Sequence, residues 1–318
     1  MKKILLGVLA LLALTRAPVL AADMPVKAPP SPPAPVVGWT GFYVGGNIGV
    51  SGGIASTAIA GSATTVALPD VGGGFPGNDV AFADSNTART SGVIGGGQIG
   101  YNYQINPTWV LGFEADIQGS GERGSNAFAD PFSTTVCTIA AAGPPPACLA
   151  APGTLNATAA TDYDARIGWF GTVRGRLGVL ISDQVLLYGT GGLAYGQVGI
   201  SGMTNVTGTE TTNGTPATIP VTPAATAFSE SRINAGFAVG GGIEGKFSYL
   251  LPAGWAWKLE YLYVDLGSLD TASPFPGAFV PIPGGAFLAT SPFAGAIATQ
   301  TRFTDNVVRV GLNYRFGY

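Results

Sequence analysis

From Val308 to the C-terminus every second residue is apolar: Val308, Val310, Leu312, Tyr314, Phe316 and Tyr318, with Arg309, Gly311, Asn313, Arg315 and Gly317 between them. A period of two puts the first set on one face of an extended strand and the second on the other. The same alternation recurs seven times upstream. Phe42, Val44, Ile48 and Val50 alternate with Tyr43, Gly45, Asn47 and Ser51; Val93, Ile99, Tyr101 and Tyr103 oppose Gln98, Asn102 and Gln104; Trp109, Leu111, Phe113 and Ile117 oppose Glu114, Asp116 and Gln118. Further on, Ile167, Trp169, Val173 and Leu177 oppose Arg166, Thr172, Arg174 and Arg176, and a less regular run sets Leu187, Leu193 and Tyr195 on the apolar side. Ile233, Phe237, Val239 and Ile243 then oppose Arg232, Asn234, Glu244 and Lys246, and Trp257, Leu259, Tyr261 and Tyr263 oppose Lys258 and Glu260.

The connections between these eight runs cover 54–90, 105–108, 122–164, 181–184, 200–230, 248–254 and 267–304, so long and short alternate. An even number of strands with long loops on one rim and tight turns on the other is the pattern of an outer-membrane barrel. Alternation alone does not say which face meets water, because a soluble barrel turns its apolar face inward. The aromatics Trp109, Trp169, Trp255, Trp257, Tyr261, Tyr263 and Tyr314 gather toward strand ends on the apolar face, as girdles at a bilayer interface do. The connections are rich in Gly, Ala, Thr and Pro and too poor in packing residues to cover a large soluble core. These features predict an all-β, membrane-embedded, eight-stranded antiparallel up-and-down β-barrel with four long extracellular loops.

Composition sharpens this reading. The 318 residues carry 10% charged residues, 49 glycines and a net charge of -3, a low-charge profile that suits neither a soluble domain nor a disordered chain. Residues 1–21 read as a secretory signal: Lys2 and Lys3, then the apolar stretch Ile4 to Leu14, then small residues with cleavage expected near Ala21. The apolar stretch is too short to span a bilayer as a helix. Three of the 15 basic residues lie in this leader, leaving 12 against 18 acids and a mature charge of about -6, which argues against nucleic acid as a partner. Residues 22–38 form a proline-rich periplasmic segment, and 39–318 the barrel. Cys137 and Cys148 suit one disulfide across a loop in an oxidising compartment.

WTGFYVGGNIG after a proline-rich N-terminus, then YGTGGLAYG, KLEYLYVDLG and the VGLNYRFGY end, together resemble the alphaproteobacterial outer-membrane β-barrel family of porin-like or outer-membrane immunogenic proteins. The resemblance covers the mature chain. It implies an eight-stranded barrel in the cell outer membrane, contact with outer-membrane lipid and lipopolysaccharide, and a terminal aromatic signal, Phe316 and Tyr318, read by the barrel-assembly machinery.

The alternation assigns Glu114, Asp116, Glu244 and Glu260 to the barrel interior together with Arg166, Arg174, Arg176, Arg232, Lys246, Lys258, Arg309 and Arg315. Eight strands enclose a space only just filled by side chains, so the expectation is a lumen network of salt bridges; a narrow charged water path is the alternative. Enzyme signatures fail on context. Gly72, Gly74 and Gly77, and again Gly95, Gly97 and Gly100, match G-x-G-x-x-G without opening a helix. Gly49, Ser51 and Gly53 match G-x-S-x-G in a chain with no histidine to complete a triad. Asp162 and Asp164 alone are too few for calcium. No enzyme activity, cofactor or metal is expected. The function read from the sequence is a surface protein, structural for the envelope and interactive through its loops, as a monomer or small homo-oligomer; a porin for small hydrophilic solutes and a surface receptor, such as one for haem, are the alternatives.

Overall fold

The computed structural model describes residues 38–65, 79–136, 153–212, 215–217, 224–247, 251–279 and 291–316. The predicted leader, most of the proline-rich segment, both cysteines and Tyr318 lie outside these residues. Eight long strands and one short one follow in chain order: β1 (Gly41–Thr65), β2 (Asp79–Gln104), β3 (Trp109–Val136), β4 (Gly153–Ser182), β5 (Val185–Thr212), β6 (Thr215–Ala217), β7 (Ala224–Lys246), β8 (Trp255–Phe279) and β9 (Ser291–Arg315). The long strands pair antiparallel with their neighbours, β1 also pairs with β9 and β4 with β5, so the sheet closes on itself. Closure leaves no unpaired backbone edge at membrane depth, where each unsatisfied group costs several kcal/mol.

The register fixes the geometry of the cylinder. Following paired residues from Val50 through Val308, Tyr261, Gly241, Gly189, Leu177 and Leu111 ends at Tyr103. The direct partner of Val50 on β2 is Val93, so one circuit slips ten residues. That stagger tilts the strands by about 40° to the axis. At equal height around this tilted wall stand two aromatic bands on the outer surface. The inner band holds Phe42, Tyr101, Trp109, Trp255, Trp257, Tyr314 and Phe316, and the outer band Trp169, Tyr195, Phe237 and Tyr263. Between them the exposed residues are apolar, as at Val44, Ile48, Ile99, Leu111, Phe113, Leu193, Leu259 and Val310. On β9 the apolar run is Val308 to Phe316, close to the nine to eleven residues a tilted strand needs to cross the hydrocarbon. Val310 sits midway. Val310→Arg is expected to destabilise the membrane-inserted barrel by about 2–4 kcal/mol, read from its urea unfolding midpoint in lipid vesicles; a neutral effect would mean this face does not meet lipid.

The four long connections are mostly not loops. Strands continue through 54–65, 79–90, 122–136, 153–164, 200–212, 224–230, 267–279 and 291–304, well beyond the outer band. Two ladders stop there: β2 and β3 last pair at Ser91 and Arg123, and β7 and β8 last pair at Phe237 and Asp265. Past these points the cylinder divides into two four-stranded sheets, β2-β1-β9-β8 and β3-β4-β5-β7, the latter extended by β6. Ile59, Ala157, Ala159, Val206 and Ile297 pack between the sheets with Phe82, Phe128 and Phe132. Pro131 on β3 and Pro274 and Pro276 on β8 occupy the seam edges, where a residue lacking N–H is tolerated and cannot donate across the gap. Side chains replace the ladder: Asn126 Nδ2 donates to the Thr87 carbonyl at 2.8 Å and Asn234 Nδ2 to the Ser268 carbonyl at 2.8 Å.

Candidate functional site: the barrel interior

Small residues on the inner face leave room for long ones from facing strands, and a charged network fills the membrane-level lumen. Arg174, on β4, is its centre: Nη2 donates to Glu114 Oε1 at 2.6 Å and Asp116 Oδ2 at 2.9 Å, and Nη1 reaches Glu260 Oε1 at 3.2 Å. Arg309 crosses from β9 to Asp116 Oδ2 at 2.8 Å and also pairs with Glu260. Lys258 Nζ lies 2.8 Å from Glu114 Oε1. One layer toward the periplasm, Glu244 accepts from Arg176 at 2.7 Å and from Arg315 at 3.0 Å. Neutral hydroxyls complete the set: Tyr43 donates to Glu114 at 2.7 Å, Tyr188 to Glu260 at 2.9 Å and Thr172 to Asp116 at 2.8 Å. Four carboxylates thus meet five cations, and all are buried. Ionised groups taken from water are tolerated only when paired and hydrogen-bonded in this way.

The network is capped at both ends. On the periplasmic side Trp39 is buried with Val110, Leu186 and Tyr188. Its indole is held by Arg315, whose Cζ lies 3.7 Å from the ring centroid, and by Nε1 donating to the Asp183 carbonyl at 3.3 Å. On the outer side Ile94, Phe170, Ala194, Ala238, Leu262, Val264 and Val307 form an apolar layer level with the outer aromatic band.

Of the twelve lumen charges expected from alternation, nine form this network, Lys246 stands at its periplasmic rim, and Arg166 and Arg232 lie elsewhere. Arg166 faces outward and is exposed. A β-bulge between Ile167 and Trp169 reverses the alternation at Gly168, so Ile167 turns inward while Trp169 stays on the lipid side. Arg232 is exposed where β7 has left β8. Lys246 sits half-buried at the periplasmic rim, its Nζ 4.9 Å from the Trp39 ring centroid. All seven expected girdle residues lie on the outer face, although Tyr261 stands between the bands and donates to Asn306 Oδ1 at 2.7 Å. Phe316 is half exposed at the periplasmic end.

Sequence reasoning missed a second carboxylate pair. Glu122 and Asp305 are each 1% exposed and lie on the inward face beyond the apolar runs of their strands, outside the membrane-spanning segments. Glu122 accepts from Ser51 Oγ at 2.8 Å and from Thr90 Oγ1. Gly53 lies between the partner strands of this pair, and a Cβ there would stand 2.6 Å from Glu122 Oε1. Among the described residues no cation lies within salt-bridge distance of either acid. Burial, with Glu122 beside it, pushes the Asp305 carboxyl up to about 8. The available signal was parity: Gln118, Ser120 and Glu122, like Asp305, Val307 and Arg309, continue the inward face past the point where apolar alternation ends.

A closed barrel with an apolar exterior between two aromatic bands and charges inside defines an outer-membrane β-barrel protein. The family model described as outer membrane protein beta-barrel domain matches residues 8–316, and the chain belongs to that family. It is 30% identical over 322 residues to the 31 kDa outer-membrane immunogenic protein of Brucella melitensis, covering 99% of this chain and 100% of that one. It is 33% identical over 105 residues to the 22 kDa outer membrane protein of Rhizobium leguminosarum, covering 33% and 36% of the two chains. These relatives are named as outer-membrane proteins and not as enzymes. Among solved structures it is similar to Ail, the attachment invasion locus protein of Yersinia pestis, at 14% identity and a TM-score of 0.25, covering 81% of this chain and 98% of that one. The outer membrane protease OmpT of Escherichia coli matches at 10% identity and a TM-score of 0.23, over 85% and 97% of the two chains.

Proposed function

We propose that this protein is a non-conducting outer-membrane anchor that presents a two-sheet head at the cell surface, with a structural role in the envelope and an interactive role through the head. The observation that carries the reading is the filled lumen: Trp39 at the periplasmic end, ion pairs at the centre and an apolar layer at the outer end. A porin needs a continuous water path, and wide porins use about 16 to 18 strands. The acids of the lumen are spent on arginines and lysine behind these caps, which supports a non-enzymatic role. The head, with its seam edges and strand tips, is the surface available to an extracellular ligand, and Phe316 with Tyr318 serves recognition by the assembly machinery. Purified protein in planar bilayers is expected to give no single-channel steps at neutral pH; reproducible steps, abolished by closing variants of the lumen, would replace this reading with the porin one.

A further inference from the structure

Four of the arginines outside the lumen stand at one height on the outer surface, past the outer aromatic band: Arg89 on β2, Arg123 on β3, Arg166 on β4 and Arg302 on β9. Arg302 is matched by Asp265, 2.6 Å away. The other three are not. Among the described residues Arg89, Arg123 and Arg166 have no salt bridge, and all three side chains are exposed. They are also neighbours. Arg123 is directly opposite Arg166 in the β3–β4 ladder, and Arg89 is two residues from Ser91, the β2 partner of Arg123, on the same face. Like charges set directly across an antiparallel pair repel. Three exposed arginines on the adjoining strands β2, β3 and β4 therefore make this stretch of the outer wall strongly positive, a repulsion that an anion relieves.

The patch is continuous with the lipid-facing surface. On β4 the order from the membrane outward is Trp169, the Gly168 bulge and then Arg166, and the bulge is what turns Arg166 to the outer face. Three residues along a strand tilted by about 40° rise roughly 8 Å, which carries the patch from the aromatic band into the headgroup zone. Asp162 and Asp164 follow on the same face of β4, farther from the membrane. We infer that Arg89, Arg123 and Arg166 bind a phosphate group on the headgroup of an outer-leaflet glycolipid. Guanidinium forks match phosphate oxygens bidentately, and a ligand approaching sideways from the leaflet meets all three strands at once.

The test uses the full chain folded in detergent micelles, titrated with bisphosphorylated lipid A and with the same lipid after dephosphorylation, bound lipid being counted by native mass spectrometry. The intact protein is expected to bind the bisphosphorylated form at least tenfold more tightly. The R89Q/R123Q/R166Q variant is expected to lose that difference, while R302Q, at the same height, keeps it. Retention of the preference by the triple variant, or no preference in the intact protein, overturns the assignment. Inorganic phosphate at millimolar concentration is expected to leave lipid binding within twofold; full displacement would assign the patch to free phosphate and overturn the lipid. Heat-modifiable migration on gels checks folding. If the triple variant does not fold, R123Q alone has to lower the preference at least threefold, and an unchanged ratio again overturns the proposal.

Discussion

Glu114→Ala is expected to lower the stability of the membrane-inserted barrel by about 3–5 kcal/mol, the cost of removing one partner from a buried ion-pair network. Glu114 touches more of the network than any other single acid: Arg174, Arg176, Lys258 and Arg309 all lie within ion-pair distance, and Tyr43 donates to it. Its loss leaves five buried cations facing three carboxylates. The midpoint of urea unfolding in lipid vesicles, followed by tryptophan fluorescence, measures the effect. Glu114→Gln keeps the shape and removes the charge, so it is expected to cost nearly as much. If both variants unfold within about 1 kcal/mol of the parent, the lumen is hydrated and the charges are screened, and the non-conducting reading weakens with them.

Asp305→Asn is expected to do the opposite: to stabilise the protein, and to do so increasingly as pH rises from about 5 to 8. Asp305 is held up at about 8 in the folded protein, whereas an unfolded aspartate titrates near ~4. Between these values the folded state keeps a proton that the unfolded state has released. Stability from this site is therefore fully present below about pH 4 and is lost as pH rises toward 8, at roughly 1.4 kcal/mol per pH unit for one proton. Asparagine carries no titrating proton and removes that slope. Parallel unfolding curves at pH 5, 7 and 9 decide the matter, and a gap between variant and parent that does not widen with pH would show that Glu122 and Asp305 do not share a buried site. Both acids lie near the point where the cylinder begins to divide, Glu122 one residue before the last β2–β3 pair at Arg123.

The nine charges of the central network were legible because a period of two is rigid: once Val308, Val310 and Leu312 are placed in lipid, Arg309 and Arg315 have nowhere to point but inward. The two exceptions each mark a place where that rigidity ends. At Arg166 a single extra residue at Gly168 flips every side chain beyond it. Arg232 lies where a strand has lost its neighbour. Glu122 and Asp305 were invisible for a related reason, since the apolar half of the alternation ends at the bilayer boundary while the strand continues into water.

The sequence by itself determined that the chain is a barrel of eight membrane-crossing strands, which face meets lipid, and which charges had to be reconciled inside, because a strand in hydrocarbon has one solution for its backbone and one for its two faces. Only the tertiary structure decided who pairs with whom across the lumen, that the extracellular segments stay extended and divide into two sheets, and that three arginines from three strands meet on the outer wall. Those outcomes depend on register, a ten-residue slip around the circuit and a one-residue bulge, and register joins residues far apart in the chain that no local pattern relates.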